Sequence, residues 1–430
     1  MTKRAIVWFK TDLRLHDNET VVHAIAHSDE IIPVYCIDNE HFTETEFGFK
    51  KTGNFRAKFL LESLIDLDKN LRELGSGLII AKGKPEIELC KIAHQYEVQS
   101  VFAKREVAYE ELKTEARVET ELWKQLIKFD TFSTSTLYHA QDLPFTIRDI
   151  PDIFTNFRKQ VERESKIRPV FEIPNSIKSP KIPDLNLPTL EELGLENPES
   201  DTRAVLQFKG GESEALNRLN YYIYETKAVS TYKNTRNGMV GDLYSTKFSP
   251  WLALGCISPR EIYAEIKKYE KLYKANESTY WVIFELLWRD YFRFMMKKYR
   301  NKFFLQNGLK STEFPLQKHT QNLFEKWQNG ETGVDFIDAN MKELQQTGFM
   351  SNRGRQNAAS YLVHDLKLDW RYGAAYFEQQ LIDYDASSNW GNWAYVAGVG
   401  NDPREDRYFN IEKQASVYDA NNTYRNLWLQ

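Results

Sequence analysis

The sequence predicts an α/β domain built on a doubly wound, parallel five-stranded sheet, then a long proline-rich linker, then an all-helical domain. Three observations predict it. Short apolar runs alternate with amphipathic stretches over residues 1–135. Eight of the 14 prolines fall between residues 144 and 198. Beyond residue 213 the apolar spacing is helical and strand signals nearly vanish. The expected boundaries are 1–135 for the α/β domain, 136–205 for the linker and 206–430 for the helical domain.

The elements follow in order. AIVWF (5–9) is a strand run, and 18–27 reads as a helix. EIIPVYCI (30–37) is a second strand, followed by an amphipathic helix over 54–74. GLIIAKG (77–83), a helix over 84–96, VQSVFAK (98–104) and a helix over 106–128 complete the alternation, which locates four of the five strands. Short buried strands separated by helices favour a parallel sheet covered on both faces. No GxGxxG follows the first strand, so the sheet's C-terminal edge is not the usual dinucleotide site. Proline at the density of 144–198 (Pro144, Pro151, Pro169, Pro174, Pro180, Pro183, Pro188, Pro198) breaks both helix and strand, which makes that stretch an ordered connector.

Composition narrows the function classes. A chain of 430 residues that is 42% hydrophobic and 27% charged is an ordinary globular protein of about two domains. Its aromatic content, 14% with ten Trp, is high and supplies much buried area. A formal net charge of −4 confines any nucleic-acid site to a local patch. Cys36, Cys90 and Cys256 are scattered without a CxxC, which excludes a disulfide framework and fits a reducing compartment. MTKRAIVWFKTDLRL enters a strand pattern at once, and no apolar run approaches the ~20 residues of a membrane span. A soluble cytoplasmic protein is expected.

Four segments carry chemistry. In STKFSPWLALGCISPREI (245–262), Ser249 reads as the N-cap of a helix with Pro250 in its first turn. The preceding hydroxyls, backbone N–H groups and Lys247 suit a phosphate, or belong to an ordinary helix start. In YWVIFELLWRDYFRFMMKKYRNKF (280–303), Glu285, Trp288, Arg289 and Phe292 share one helix face. A flat ring between an acceptor and a cation can stack and orient a base. Arg293, Lys297, Lys298, Arg300 and Lys302 follow as a basic run that tracks phosphates or is merely solvated. TGFMSNRGRQNAASYLVHDLKLDW (347–370) reads as one helix ending near Trp370, with Asn352, Arg353 and Arg355 at its start. Arginines there oppose the helix dipole and call for an anionic partner. DYDASSNWGNWAYVAG (383–398) offers Asp383 and Asp385 for that purpose, mixed with Trp390, Trp393 and Tyr395. Together the segments describe a polar-lined, aromatic-rich cavity that suits a large aromatic cofactor.

TYKNTRNG, DLYSTKFSPWLALGCISPREIY, FELLWRDYFRF, TGFMSNRGRQNAASYL and DYDASSNWGNWAYVAGVGNDPREDRYFNI resemble the photolyase/cryptochrome flavoproteins, and LYHAQDLPF and DIPDIFTNFRKQVE the DASH branch in particular. The resemblance covers essentially the whole chain. It implies that the helical domain binds FAD, with Tyr232, Ser245, Thr246, Lys247, Phe248 and Ser249 on the phosphates and ribityl chain. Arg355, Asp383 and Asp385 then frame the flavin, and Asn389 sits against its reactive ring nitrogen. The implied activity is splitting of cyclobutane pyrimidine dimers by an electron from photoexcited reduced flavin. Glu285, Trp288, Arg289 and Asn352 would line the lesion pocket, Trp288 stacking on the dimer and Glu285 stabilising its radical anion. Trp393 and Trp370 match the first two members of a photoreducing tryptophan chain. The implied antenna is 5,10-methenyltetrahydrofolate, with Glu106 as its contact and an exposed helix-start glutamate as the plainer reading. The implied partner is DNA carrying pyrimidine dimers, bound by a monomer.

Three positions depart from the wider pattern. Gln317 stands where the outer tryptophan of the chain is expected. Tyr395 replaces a second lesion-flanking Trp, which weakens extrusion from duplex and fits a single-strand preference. Ser351 stands where six-four enzymes carry a His. The rival function is a blue-light photoreceptor that binds DNA and signals without repair. The chain stopping at YDANNTYRNLWLQ, with the four lesion-pocket residues present, favours repair.

Overall fold

The computed structural model describes residues 2–310, 320–401 and 407–430. Strands β1 (Arg4–Phe9), β2 (Glu30–Ile37), β3 (Ile79–Lys82), β4 (Ser100–Lys104) and β5 (Lys128–Phe132) form one sheet in the order β3-β2-β1-β4-β5. Every pairing is parallel, as in Val7 opposite Pro33 and Phe102. The crossovers are α1 (Glu19–His27), α2 (Asn54–Glu73), α3 (Pro85–Gln95) and α4 (Tyr109–Lys124). Strand alternation divides the sheet between two cores: Ile6 and Trp8 pack with Leu89, Val118 and Leu122, whereas Ala5, Val7 and Phe9 join the large core shared with the helical domain.

The fifth strand lies just after a helix expected to run to residue 128. The helix stops at Lys124 because Leu126 adopts a left-handed backbone (φ +60°), a turn made without the glycine that would have announced it. The linker is not wholly irregular either. It contains α5 (Phe154–Glu164), which fits between the prolines on either side.

The helical domain comprises α6 (Glu212–Asn220), α7 (Tyr232–Thr235), α8 (Ser249–Ala253), α9 (Pro259–Leu272), α10 (Glu277–Tyr299), α11 (Gln321–Asn329), α12 (Asp335–Thr347), α13 (Asn352–Ser360), α14 (Trp370–Gln380), α15 (Ala386–Val396), α16 (Ile411–Tyr418) and α17 (Thr423–Leu429). Asn276 and Thr279 make a reciprocal capping box that starts α10. The single helix expected over 347–370 is instead α13, a π-helical turn at Tyr361–Asp365 and then α14, so Trp370 opens a helix rather than ending one.

The loop after β1 bolts the two domains together. Asp17 pairs with Arg260 at 2.6 Å, His16 with Glu212 at 2.5 Å, and Arg14 donates to the Gly255 carbonyl at 2.8 Å, all buried. Gly255 has φ +67°, and a Cβ there would overlap the Thr11 carbonyl oxygen. Left-handed strain and overpacking each cost on the order of 1–3 kcal/mol, so Gly255→Ala should destabilise the chain by about 3 kcal/mol. A urea midpoint unchanged from the parent would refute that account of the junction.

Candidate functional site

Arg218 shapes the turn before α8 by donating to the carbonyls of Asp242 (2.7 Å) and Thr246 (3.1 Å). That turn buries Lys247 in a left-handed conformation (φ +60°), its Nζ 3.0 Å from the centre of the Tyr244 ring. Nζ has no hydrogen-bond partner among the described residues. Burial drives the ammonium well below the ordinary lysine range, against the pull of Glu343. Ser249 is not the N-cap expected of it. Phe248 holds that place, and no side chain caps the five-residue helix. Ser245 and Thr246 lie beside Lys247 in the same turn, and Tyr232 is buried at the start of α7.

Phe349 joins this turn to α13. Lys247 stands 5.3 Å from its ring centre and Arg355 5.5 Å. Arg355 pairs with Asp383 at 2.8 Å, while the other Asp383 oxygen, Oδ1, is buried without a partner. The expected pairing of the α13 arginines with both aspartates is therefore half right. Arg353 lies over Tyr418 at 4.3 Å and donates to Asn237 at 2.9 Å. Asp385 takes Arg293 instead, at 2.7 Å, and its Oδ1 accepts the Ser388 N–H as the N-cap of α15. Burial alone would raise the Asp385 carboxyl, but Arg293 and Arg289 outweigh it and hold it below the usual range. Asn389, one turn into α15, donates to the Ala374 carbonyl at 2.9 Å. Gln356, inside the TGFMSNRGRQNAASYL stretch but not picked out there by residue type, adds a buried, unpartnered Oε1 from α13.

Glu285 and Trp288 lie on the outer face of α10, both partly buried. Glu285 does not pair with Arg289 four residues on. It pairs with Arg236 at 2.8 Å, and burial raises its carboxyl against Arg236's opposing charge. Trp288 stacks on Phe154 of α5 (3.6 Å between centroids, 12°) and meets Tyr395 edge-on at 6.2 Å. Asn352 is exposed at the start of α13, whose Arg353 reaches Asn237, next to the Arg236 that holds Glu285. Arg289 is turned elsewhere: it donates to the backbone carbonyls of Ser135 and Leu252, tying linker and α8 to α10. Arg236 and Phe154 were not singled out, because their roles come from partners distant in sequence.

The tryptophans pack where α14 crosses α15. Trp393 covers Gly373 and meets Phe377 at 5.1 Å and Trp327 at 6.2 Å. Trp370 meets Trp390 edge-on at 5.8 Å. Gln317 lies outside the described residues. Glu106 is not an exposed helix-start residue. It is buried before α4, 3.0 Å from Lys104, accepting from Thr11 at 2.7 Å and from Arg293 at 3.2 Å. Burial would raise its carboxyl, yet Lys104 and Arg293 hold it far below the usual range. Arg293, expected in a surface phosphate run, is thus an internal cation. No cluster of three or more His, Cys, Asp or Glu suited to a metal occurs among the described residues, and no helix there is long and apolar enough to cross a membrane.

Residues 5–178 match the family model for DNA photolyase, and residues 281–430 that for the FAD binding domain of DNA photolyase. The cryptochrome DASH of Danio rerio is 50% identical, covering 100% of this chain and 83% of its own length. The Arabidopsis thaliana relative, named cryptochrome DASH, chloroplastic/mitochondrial, is 50% identical over 99% of this chain and 75% of its own. Among solved structures, the Synechocystis sp. PCC6803 cryptochrome superposes with a TM-score of 0.96 at 48% identity, over 100% of this chain and 89% of that one. A class III photolyase from Agrobacterium tumefaciens gives 0.84 at 25% identity, over 100% and 87%. A parallel α/β domain bolted to a helical FAD-binding domain, related at this level over its whole length, places the chain in the photolyase/cryptochrome family of light-dependent flavoproteins, in its cryptochrome DASH branch.

Proposed function

We propose that the chain is a blue-light-driven, FAD-dependent lyase that reopens cyclobutane pyrimidine dimers, prefers single-stranded DNA and works as a monomer in the cytoplasm. The observation that carries the reading is the placement of Glu285 and Trp288 on one partly exposed face of α10, the helix whose Arg293 pairs with Asp385. Asp385 lies two residues along the chain from the Asp383 of the buried Lys247, Arg355 and Asp383 cradle. The cradle residues fit FAD. A buried Lys247 Nζ without a hydrogen-bond partner suits a diphosphate, and the unpaired Asp383 Oδ1 and Gln356 Oε1 suit the polar edges of a ribityl chain and ring. In this reading Tyr232, Ser245, Thr246, Lys247, Phe248 and Ser249 hold the phosphate and ribityl side, while Arg355, Asp383, Asp385 and Asn389 frame the ring. Bound FAD in its reduced state supplies the light-driven electron.

The chain's own residues do the rest. Trp288, backed on one face by Phe154, offers the other as a stacking surface for an extruded base. Arg236 holds Glu285 in place, and burial raises its carboxyl against that charge, which favours proton donation to the lesion's carbonyl oxygen. Tyr395 is buried beneath Arg407 (4.1 Å) and stands at 75° to Trp288, so it offers no second ring parallel to Trp288 to replace a base pair broken in duplex. Trp393 and Trp370 are the inner electron donors, and Trp390, edge-on to Trp370, is the next oxidisable ring. Glu106 keeps one acceptor position on Oε2, which fits a single amino donor of a methenyltetrahydrofolate antenna.

Blue illumination of the reduced protein with dimer-containing oligonucleotides should remove dimers from single strands and few from duplex. Intact flavin photoreduction with no repair in either would favour the photoreceptor. A proton donated by Glu285 would make repair per photon fall as pH rises through its pKa, which burial raises from the ordinary carboxylate value. The same titration of Glu285→Gln should give a flat, lower profile; an unchanged profile removes Glu285 from the proton's path. Lys247→Met should stabilise the flavin-free chain, since a buried amino group with no hydrogen-bond partner is lost. It should also weaken FAD binding by about 10- to 100-fold, the worth of a hydrogen bond to a charged group. Fluorescence titration with FAD and thermal unfolding of the flavin-free chain read the two effects separately.

A further inference from the structure

Arg293, in the helical domain, bridges a carboxylate of each domain. Its Nη1 donates to Asp385 at 2.7 Å and its Nη2 to Glu106 at 3.2 Å, and only 5% of its side chain is exposed. On the far side, Lys104 lies 3.0 Å from Glu106 with 1% of its side chain exposed, and Glu115 accepts the Glu106 backbone N–H at 2.8 Å. The chain of charges Lys104–Glu106–Arg293–Asp385 thus runs from strand β4 to the N-cap of α15 with solvent excluded along its length. Charges so enclosed are poorly screened, and a guanidinium shared by two carboxylates neutralises each only in part.

We infer that Arg293 is a positioning residue that relays the state of Glu106, in the α/β domain, to Asp385, and so sets the reduction potential of the flavin bound beside Asp385. The inference rests on the reading that FAD faces Asp385. When Glu106 withdraws from Arg293, the guanidinium pairs with Asp385 alone and neutralises it more fully. The surroundings of the flavin become less negative, which favours the reduced, more negatively charged form and moves the potential upward. A donor seated on Glu106 would act in the same direction, because it competes with Arg293 for that carboxylate. The α/β domain then tunes the flavin it does not touch.

The double variant Glu106→Gln/Lys104→Met tests this, since it removes one negative and one positive charge and leaves net charge unchanged. Replacing a buried ion pair by neutral groups of similar size is often tolerated by the fold. The midpoint potential of bound FAD, followed by absorbance during a reductive titration, should shift to a more positive value. The same pair of substitutions in an Arg293→Met background should produce no shift. An unchanged potential in the double variant overturns the relay, as does an equal shift without Arg293. Should the Arg293→Met chain fail to hold flavin, the double variant alone decides. A parent chain that takes up no FAD refutes the flavin reading itself, and the relay with it, whereas normal uptake with an unmoved potential refutes the relay alone.

Discussion

The buried charges of the loop after β1 are the constraint on which the rest depends. Arg14, His16 and Asp17 each reach into the helical domain, and Gly255 meets Thr11 so closely that no side chain fits between them. In the dinucleotide-binding fold this loop would carry glycines that cradle a pyrophosphate. Here its polar groups hold protein instead. Removing one partner of such a pair leaves a charge stranded out of water, so the junction tolerates only one register. The sheet's C-terminal edge becomes an attachment surface, and the cofactor chemistry moves to the helices it supports.

Helix α10 spreads the consequences. Glu285 and Trp288 face outward, Asp290 turns to accept the backbone N–H groups of Leu137 and Tyr138, Arg289 reaches the carbonyls of Ser135 and Leu252, and Arg293 pairs with Asp385. One 23-residue helix therefore holds the linker, the outward face of Glu285 and Trp288, and Asp385 in fixed relation. The Asp290 carboxyl is pushed up to about 7 by burial, even though it accepts two backbone donors. Its contribution is consequently to place the linker rather than to add stability. That placement lays Phe154 beneath Trp288.

Much of this was legible in the sequence, and the rest was hidden for identifiable reasons. The strand–helix alternation was readable because continuous apolar runs and period-3.6 patterns are local. The end of α4 was not, because Leu126 turns the chain without glycine or proline, and the helix pattern absorbed the fifth strand. The segments forming the cradle could be picked out by residue type: Lys247, Arg355, Asp383 and Asp385 are charges where a core would want none. Their partners could not. Arg236 and Glu285 are 49 positions apart, and Arg293 and Glu106 are 187 apart, so only the folded chain reveals that the first pair holds the pocket and the second crosses the domains. Glu106 looked like a surface residue because its neighbours Arg105 and Glu110 are exposed, yet it lies between Lys104 and Arg293.

The groups left unsatisfied are as informative as those that are paired. Lys247 Nζ, Asp383 Oδ1 and Gln356 Oε1 are enclosed by the helical domain without partners, each carrying a desolvation cost of roughly 1–3 kcal/mol. A chain that had to be stable alone would gain by replacing them with apolar side chains of similar shape. Their presence makes sense if a ligand removes the cost, for a ligand that binds only the native state adds RT ln(1 + [L]/Kd) to its stability. On the proposed reading the fold and its cofactor are then coupled: the donors and acceptors that cost the fold most would be the ones that hold the flavin.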